Sequence, residues 1–481
     1  MRTPPTGPGT ATGPATDART GTTPLPPLAG GADGSAALRP LLAVVLDALS
    51  EGAAARGGPM PTGGPEAVAA RVRNAVEPVL PDTGVGAETA LRTLVRTFTE
   101  GAADPAEPLC VAHLHCPPLA LATAADLAAS ALNPSMDSWD QAPAASELEA
   151  LLTRALAAEV HPHGPAPDAL VTTGGTESNQ LALLLARERH GSVRVLYGAN
   201  AHHSIPRAAW LLGLPDPVTV PAPAGVIDLA ALDEALNDLH GHGPLLVTAT
   251  AGTTDTGLID PLPEIADLCA AHGAELHIDA AYGGPLLFSN THRDKLRGLD
   301  RAQSVTLDLH KLGWQPVAAG LLAVPDTTAL APLAHRAEYL NPDDDTEAGL
   351  PDLLGRSLRT TRRPDILKAA ATLKALGRSG LGELLDRTCA AAGHLADLVD
   401  AHPGFELYDR PTISTVLFRP TDATDDCLAE LRRTLLTEGR AVLGRARADG
   451  RLWLKATLLN PHTTRSDLET LLELLEGSTR R

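Results

Sequence analysis

Between residues 169 and 324, short apolar and β-branched runs alternate with amphipathic stretches, and this alternation most limits what the chain can fold into. The run 169–172 precedes a helical pattern at 177–189; 193–197 precedes 205–212; 218–220 precedes 228–239. A run at 245–250 and a helix at 263–271 follow, then strands at 275–279, 304–309 and 320–324. Strands joined through helices by short connections predict an α/β core: a mostly parallel central sheet with helices on both faces.

The flanks differ from this core. Residues 1–36 are rich in Thr, Pro, Gly and Ala and read as a disordered tail without a signal-peptide core. Helical spacing at 38–49, 66–79 and 87–100 predicts an N-terminal helical segment over residues 37–125. After a large domain spanning 126–360, a helical run at 365–400, strands at 413–418 and 452–458 and a last helix at 465–475 predict a smaller α+β domain over 361–481.

At 481 residues the chain can bury a large core, and with only four each of Trp, Tyr and Phe that core must be built from Ala, Leu and Val. The formal net charge of −19 argues against nucleic acid and anionic membrane surfaces as partners. No apolar run reaches the length of a membrane span. Five cysteines form no CxxC pair and no zinc-type spacing, so a metal site and a disulfide framework are not expected; a reducing cytoplasm fits best.

Only five lysines occur, so few residues could supply a primary amine. Lys311 ends the apolar run Ser304-Val-Thr-Leu-Asp-Leu-His-Lys311, at the edge of the predicted sheet, where it is suited to form a Schiff base with an aldehyde. The other four, Lys295, Lys368, Lys374 and Lys455, read as ordinary surface lysines. Asp279, in His277-Ile-Asp-Ala-Ala-Tyr-Gly-Gly284, is delivered at a strand's C-terminal end, where ligands of open α/β sheets bind. A carboxylate there can hold a pyridine nitrogen protonated, although an Asp that caps its own turn gives the same pattern. Thr172-Thr-Gly-Gly-Thr-Glu-Ser-Asn179 lies between a strand and a helix and offers free N–H groups to an anion. Either histidine of Ala201-His-His-Ser204 could lay its ring against a planar cofactor. An anion site, a stacking ring, a pyridinium partner and an amine on successive strand ends together describe pyridoxal 5'-phosphate chemistry.

These motifs, together with Ala112-His-Leu-His-Cys-Pro-Pro118, Met136-Asp-Ser-Trp-Asp-Gln141, Gly252-Thr-Thr254, Ser357-Leu-Arg-Thr-Thr-Arg-Arg363 and Leu454-Lys-Ala-Thr-Leu-Leu-Asn-Pro461, resemble the group II pyridoxal-phosphate-dependent amino-acid decarboxylases from about residue 105 onward. The resemblance implies the fold-type-I architecture and loss of carbon dioxide from an L-amino acid, giving the amine. It implies that Lys311 carries the cofactor, Asp279 pairs with the pyridine nitrogen, and His202, rather than His203, stacks on the ring. It places Gly175 and Thr176 on the phosphate with Ser304 and His310 helping, and Thr253 and Ala281 near the ring. A homodimer with its site at the interface is implied in the same way. The motifs at 112–118 and 136–141 are more similar to the L-2,4-diaminobutyrate branch, so an aliphatic or diamino substrate is expected, and scarce aromatics agree.

Two departures stand out. The segment 349–355, where the family carries a mobile-loop tyrosine linked to the last protonation, has none, and Tyr339 does not align with it. Loss of that tyrosine in the family can divert the reaction to oxygen, which keeps oxidative decarboxylation, or another pyridoxal-phosphate reaction, as the alternative; His202 is the substitute proton donor. Pro364 stands where the family usually has Phe. A reading from another class is a non-catalytic pyridoxal-phosphate-binding protein.

Overall fold

Five helices lead into the sheet in the computed structural model, which describes residues 25–335, 337 and 339–479. They are α1 (Gly34–Arg56), α2 (Gly64–Val76), α3 (Ala87–Glu100), α4 (Ala120–Leu132) and α5 (Pro143–Val160). Of the expected tail, residues 1–24 lie outside the described residues, and α1 begins at Gly34, inside the range assigned to the tail. α2 stops at Val76 instead of running to residue 79. Pro78 cannot donate to a helical ladder and drives the residue before it out of the helical region, and Glu77 is accordingly extended, with ψ of 132°.

The central sheet contains β1 (Asp168–Thr172), β2 (Arg194–Gly198), β3 (Val218–Val220), β4 (Leu245–Thr250), β5 (Glu275–Ala280), β6 (Ser304–Asp308) and β7 (Gly320–Val324). Its order is β1-β7-β6-β5-β4-β2-β3. β7 runs antiparallel to both its neighbours; every other pairing is parallel. Between the strands lie α6 (Gly175–His190), α7 (Ser204–Leu211), α8 (Leu229–Asp238) and α9 (Leu262–His272). β1, β4, β6 and β7 are buried along their whole length, as continuous apolar strands covered on both faces must be. This is the fold-type-I α/β architecture. The parallel strands place the C-terminal ends of β1, β4, β5 and β6 along one edge, where the site is built.

A short helix, α10 (Asp343–Glu347), precedes the long α11 (Ile366–Ala401). Pro364 lies just ahead of α11, outside its first turn. The helical run expected there is broken at Gly377, whose φ of 64° and ψ of −177° are not helical. β8 (Phe405–Leu407), β9 (Thr415–Pro420), α12 (Asp425–Thr437), β10 (Gly444–Ala448), β11 (Arg451–Thr457) and α13 (Arg465–Thr479) complete the fold as an antiparallel sheet, β10-β11-β9-β8, with helices against it. α11 serves two cores. Leu381 and Leu385 pack with the central sheet, while Leu395 and Val399 pack with Val416, Phe418, Leu454 and Leu471.

Candidate active site

Loops at the strand ends enclose a cavity of about 300 Å³. Its wall includes Gly175, Thr176, His202, Asp279, Ala281, His310 and Lys311, so seven residues singled out in the sequence meet in one place. Leu114, Gly174, Thr254, Tyr282 and Asp308 line it as well. The order of the strands, β6 beside β5 and β5 beside β4, brings segments far apart in sequence to adjacent positions along one edge.

The turn after β1 makes the anion-binding corner. Gly174 caps α6 with φ of 151° and offers no side-chain cap to the helix, leaving the first-turn N–H groups free. Glu177 folds back to accept from Thr173 N and Thr173 Oγ1 at 2.6 and 2.7 Å, which fixes the turn. A methyl group on Gly174 would stand 2.9 Å from His310 Cε1, and one on Gly175 would stand 3.0 Å from the Ala281 methyl. Space is tight at both glycines, and the φ of Gly174 is one that L side chains rarely adopt.

Asp279 sits near the end of β5, 6% exposed. Its Oδ1 accepts from Ala281 N at 3.0 Å and its Oδ2 from Asn179 Nδ2 at 2.8 Å. Asn179, the fifth residue of α6, also donates to Ser204 Oγ at 2.9 Å. Its own Oδ1 accepts from Thr306 Oγ1 at 2.8 Å and His277 Nε2 at 3.0 Å. On its other side, His277 Nδ1 lies 2.9 Å from Ser304 Oγ and 3.1 Å from the Ser304 carbonyl oxygen. Complete burial lowers its pKa to about 4, so it is a neutral prop.

His202 Nδ1 accepts from Ser204 Oγ at 2.8 Å and from Ser204 N at 3.3 Å. Two donors at Nδ1 leave the proton of the neutral ring on Nε2. Burial lowers the pKa of His202 and outweighs the opposing pull of Asp279. His203 instead caps α7, is exposed, and borders only an adjoining cavity.

Lys311 Nζ lies 2.9 Å from Asp308 Oδ2. Cys116, from the 112–118 motif, donates its thiol to the His310 carbonyl at 3.1 Å and so ties that motif to the lysine strap. Burial pushes the Cys116 thiol up to about 12, which keeps it protonated and inert. Tyr282 is anchored through its hydroxyl to Ser414 and Thr415 Oγ1, at 2.8 and 3.0 Å, and burial raises it to about 12.

Two expected residues are elsewhere. Ser304 begins β6, so four residues at about 3.3 Å each separate it from Asp308, and its hydroxyl serves His277, not a phosphate. Thr253 is buried, its hydroxyl bonded to Thr256 Oγ1 at 2.7 Å and accepting from Leu258 N at 3.1 Å; its neighbours Gly252 and Thr254 face the cavity instead. Two lysines read as surface residues are buried. Lys368, 1% exposed, pairs with Asp126 and Asp365 at 3.4 and 3.3 Å, and Lys455 donates to the Thr254 carbonyl at 2.9 Å. Asn179 and Asp308 carry no signal of their own in the sequence, because a polar residue near a helix start or at a strand end is ordinary by itself.

The cavity fits pyridoxal phosphate. The glycine backbone would suit a phosphate, the buried, oriented Asp279 carboxylate would suit a pyridine nitrogen, and the Lys311 amine lines the same cavity. A fold of this type with such a site defines a pyridoxal-phosphate-dependent enzyme of fold type I. Residues 87–421 match the pyridoxal-dependent decarboxylase conserved domain, and the chain belongs to that family. It is a pyridoxal-phosphate-dependent carboxy-lyase acting on amino acids. The chain is 41% identical over 421 residues to an L-2,4-diaminobutyrate decarboxylase of Rhizobium meliloti (strain 1021), covering 84% of each chain. It is 34% identical over 425 residues to the enzyme of the same name from Acinetobacter baumannii, covering 81% of this chain and 83% of that one. Among solved structures it is similar to the glutamate decarboxylase domain of diaminobutyrate-pyruvate transaminase and L-2,4-diaminobutyrate decarboxylase from Vibrio parahaemolyticus. That similarity has a TM-score of 0.83 and 32% identity, covering 94% of this chain and 97% of that chain. Among the described residues no helix is long and apolar enough to cross a membrane.

Proposed function

We propose that the chain decarboxylates L-2,4-diaminobutyrate to propane-1,3-diamine and carbon dioxide. The observation that carries this substrate is the 41% identity, across 84% of both chains, to a relative named for that reaction. Pyridoxal phosphate supplies an electron sink for the pair released when the carboxylate leaves.

The chain's own residues divide the remaining work. Lys311 supplies the amine that would hold the cofactor. Gly175, Thr176 and His310 hold the phosphate, with Gly174 setting the turn. Asp279 keeps the pyridine nitrogen protonated, and Ala281 gives the flat ring room to approach. His202 would lie against the ring, and the two donors that occupy its Nδ1 leave on Nε2 the proton it would return to the α-carbon. Tyr282 is held by two hydroxyls of the smaller domain and Tyr339 is 82% exposed, so neither competes with His202 for that role.

The reading extends to a homodimer in the cytoplasm. Val72, Leu94 and Phe98 stand exposed on α2 and α3 around a groove of about 370 Å³, a face that a second copy would cover. Five free cysteines suit a reducing compartment. In domain terms, we assign residues 37–125 to dimerisation, 126–360 to cofactor binding and 361–481 to the smaller domain.

The test offers purified, cofactor-loaded protein single amino acids, including 2,4-diaminobutyrate, ornithine, lysine, glutamate and tyrosine, with products identified by mass spectrometry and oxygen followed in parallel. Propane-1,3-diamine formed without oxygen uptake, and absent with Lys311→Ala, is the expected result. A different preferred amino acid would overturn the substrate, and an aldehyde with oxygen consumed would overturn simple decarboxylation.

A further inference from the structure

Asp308 is out of place as an anion. It ends β6, 1% exposed, against the glycines that open α6. A methyl group on Gly175 would stand 3.2 Å from its Oδ2, and one on Gly174 would stand 3.8 Å from its Oδ1. Its carboxyl group therefore borders the concavity whose helix N–H groups suit a phosphate. Oδ2 meets Lys311 Nζ at 2.9 Å, whereas Oδ1 is buried without a hydrogen-bond partner. A buried oxygen left unpaired at an anion site calls for an explanation.

We propose that Asp308 changes charge with cofactor loading: it is the counter-ion of Lys311 in the cofactor-free protein, and a neutral carboxylic acid that donates to a phosphate oxygen in the loaded one. The inference rests on Lys311 being the amine that takes the cofactor. When Lys311 turns to the aldehyde, Asp308 loses its cation just as a phosphate enters the same corner. Two neighbouring anions shielded from water disfavour each other's charged form. A proton drawn from solvent onto Asp308 removes the conflict and converts repulsion into an O–H···O hydrogen bond to a charged acceptor.

The other groups facing Asp308 do not replace the lost ammonium. His310 Nε2 stands 3.6 Å from Oδ2, and His202 feels the same carboxylate from across the cavity; burial holds both rings toward neutrality. Gly174 and Gly175 bring only backbone to the contact. Asp279, on the neighbouring strand, adds negative charge to the cavity.

The test loads cofactor-free, full-length protein with pyridoxal phosphate at mildly alkaline pH, comparing wild type with Asp308→Asn. Calorimetry in two buffers of different ionisation enthalpy counts protons, and changes of the cofactor itself cancel in the comparison. Wild type takes up about one more proton per subunit than the variant, so its affinity falls about tenfold more steeply for each unit of rising pH. Infrared difference spectra of wild type gain a carboxylic-acid C=O stretch on loading, which moves with aspartate isotope labelling. Equal proton counts overturn the proposal. So does a loaded wild type without that band, which decides the matter even where the variant fails to fold. Lys311 loading is followed separately by visible absorbance; a protein that acquires no such absorbance would remove the lysine assignment, and the proposal with it.

Discussion

His202 and Asp279 are joined by a chain of hydrogen bonds that passes through Ser204 and Asn179, with links of 2.8, 2.9 and 2.8 Å. The group assigned to one face of the cofactor ring and the group assigned to its nitrogen are thus aligned by one amide. Asn179→Ala leaves the Asp279 carboxylate with its Ala281 N–H bond and leaves His277 Nε2 without an acceptor. A hydrogen bond to a charged group contributes about 1.5–3 kcal/mol, so cofactor affinity should fall roughly ten- to a hundredfold. Absorbance titration with pyridoxal phosphate measures it; an unchanged affinity would mean that Asp279 is oriented by its strand alone.

Gly174→Ala should weaken cofactor binding without unfolding the chain. The added methyl meets the His310 ring at 2.9 Å, and φ of 151° is a conformation that L side chains rarely adopt. A loss of about five- to 150-fold in affinity is expected from roughly 1–3 kcal/mol of local strain. Circular dichroism and cofactor titration, run together, separate this effect from loss of fold.

Acid should destabilise the protein through His277. Its ring titrates near its ordinary value of 6.5 when unfolded but at about 4 when buried, so the unfolded state binds the extra proton between those values. Stability therefore declines as pH falls from 6.5 toward 4, by on the order of 3 kcal/mol from this one group. Denaturant melts across that window should show a shallower pH slope for His277→Gln. Identical slopes would show that His277 does not control the acid limb.

Arg362 and Glu149 form a buried two-point ion pair at 2.6 and 2.7 Å, with side chains 2% and 4% exposed. Removing only the cation, as in Arg362→Met, strands a carboxylate and should cost about 3–5 kcal/mol. Adding Glu149→Leu should restore most of that loss. A double variant no more stable than the single one would show that packing, rather than the stranded charge, sets the cost.

Much of this arrangement is legible in the order of the residues, and the reasons differ by element. Strand-length apolar runs such as 245–250 and 320–324 coincide with β4 and β7 because both faces are covered, so burial demands uninterrupted apolar sequence. β10, with the sequence Gly-Arg-Ala-Arg-Ala, carries no such signal: its outward arginines hide a strand held by pairing with β11. α5 escapes notice because alanines blur its helical period. Among site residues, Lys311 and Asp279 stand out by their chemistry at strand ends, whereas only the family resemblance separates His202 from His203. Ser304 misleads because nearness to Lys311 in sequence becomes distance along an extended strand. Asn179 and Asp308 stay silent because their significance lies in partners that only the fold supplies: Asp279, 100 residues from Asn179, and the glycines of α6.

The sharing of α11 between two cores has a consequence for anyone recombining this chain with a relative. Leu381 and Leu385 are committed to one set of neighbours and Leu395 and Val399 to another, along a single helix. A crossover placed within it would mate half of each parent's packing with a stranger. Grafts that carry the whole helix inherit the unit that keeps the two halves of the molecule in step.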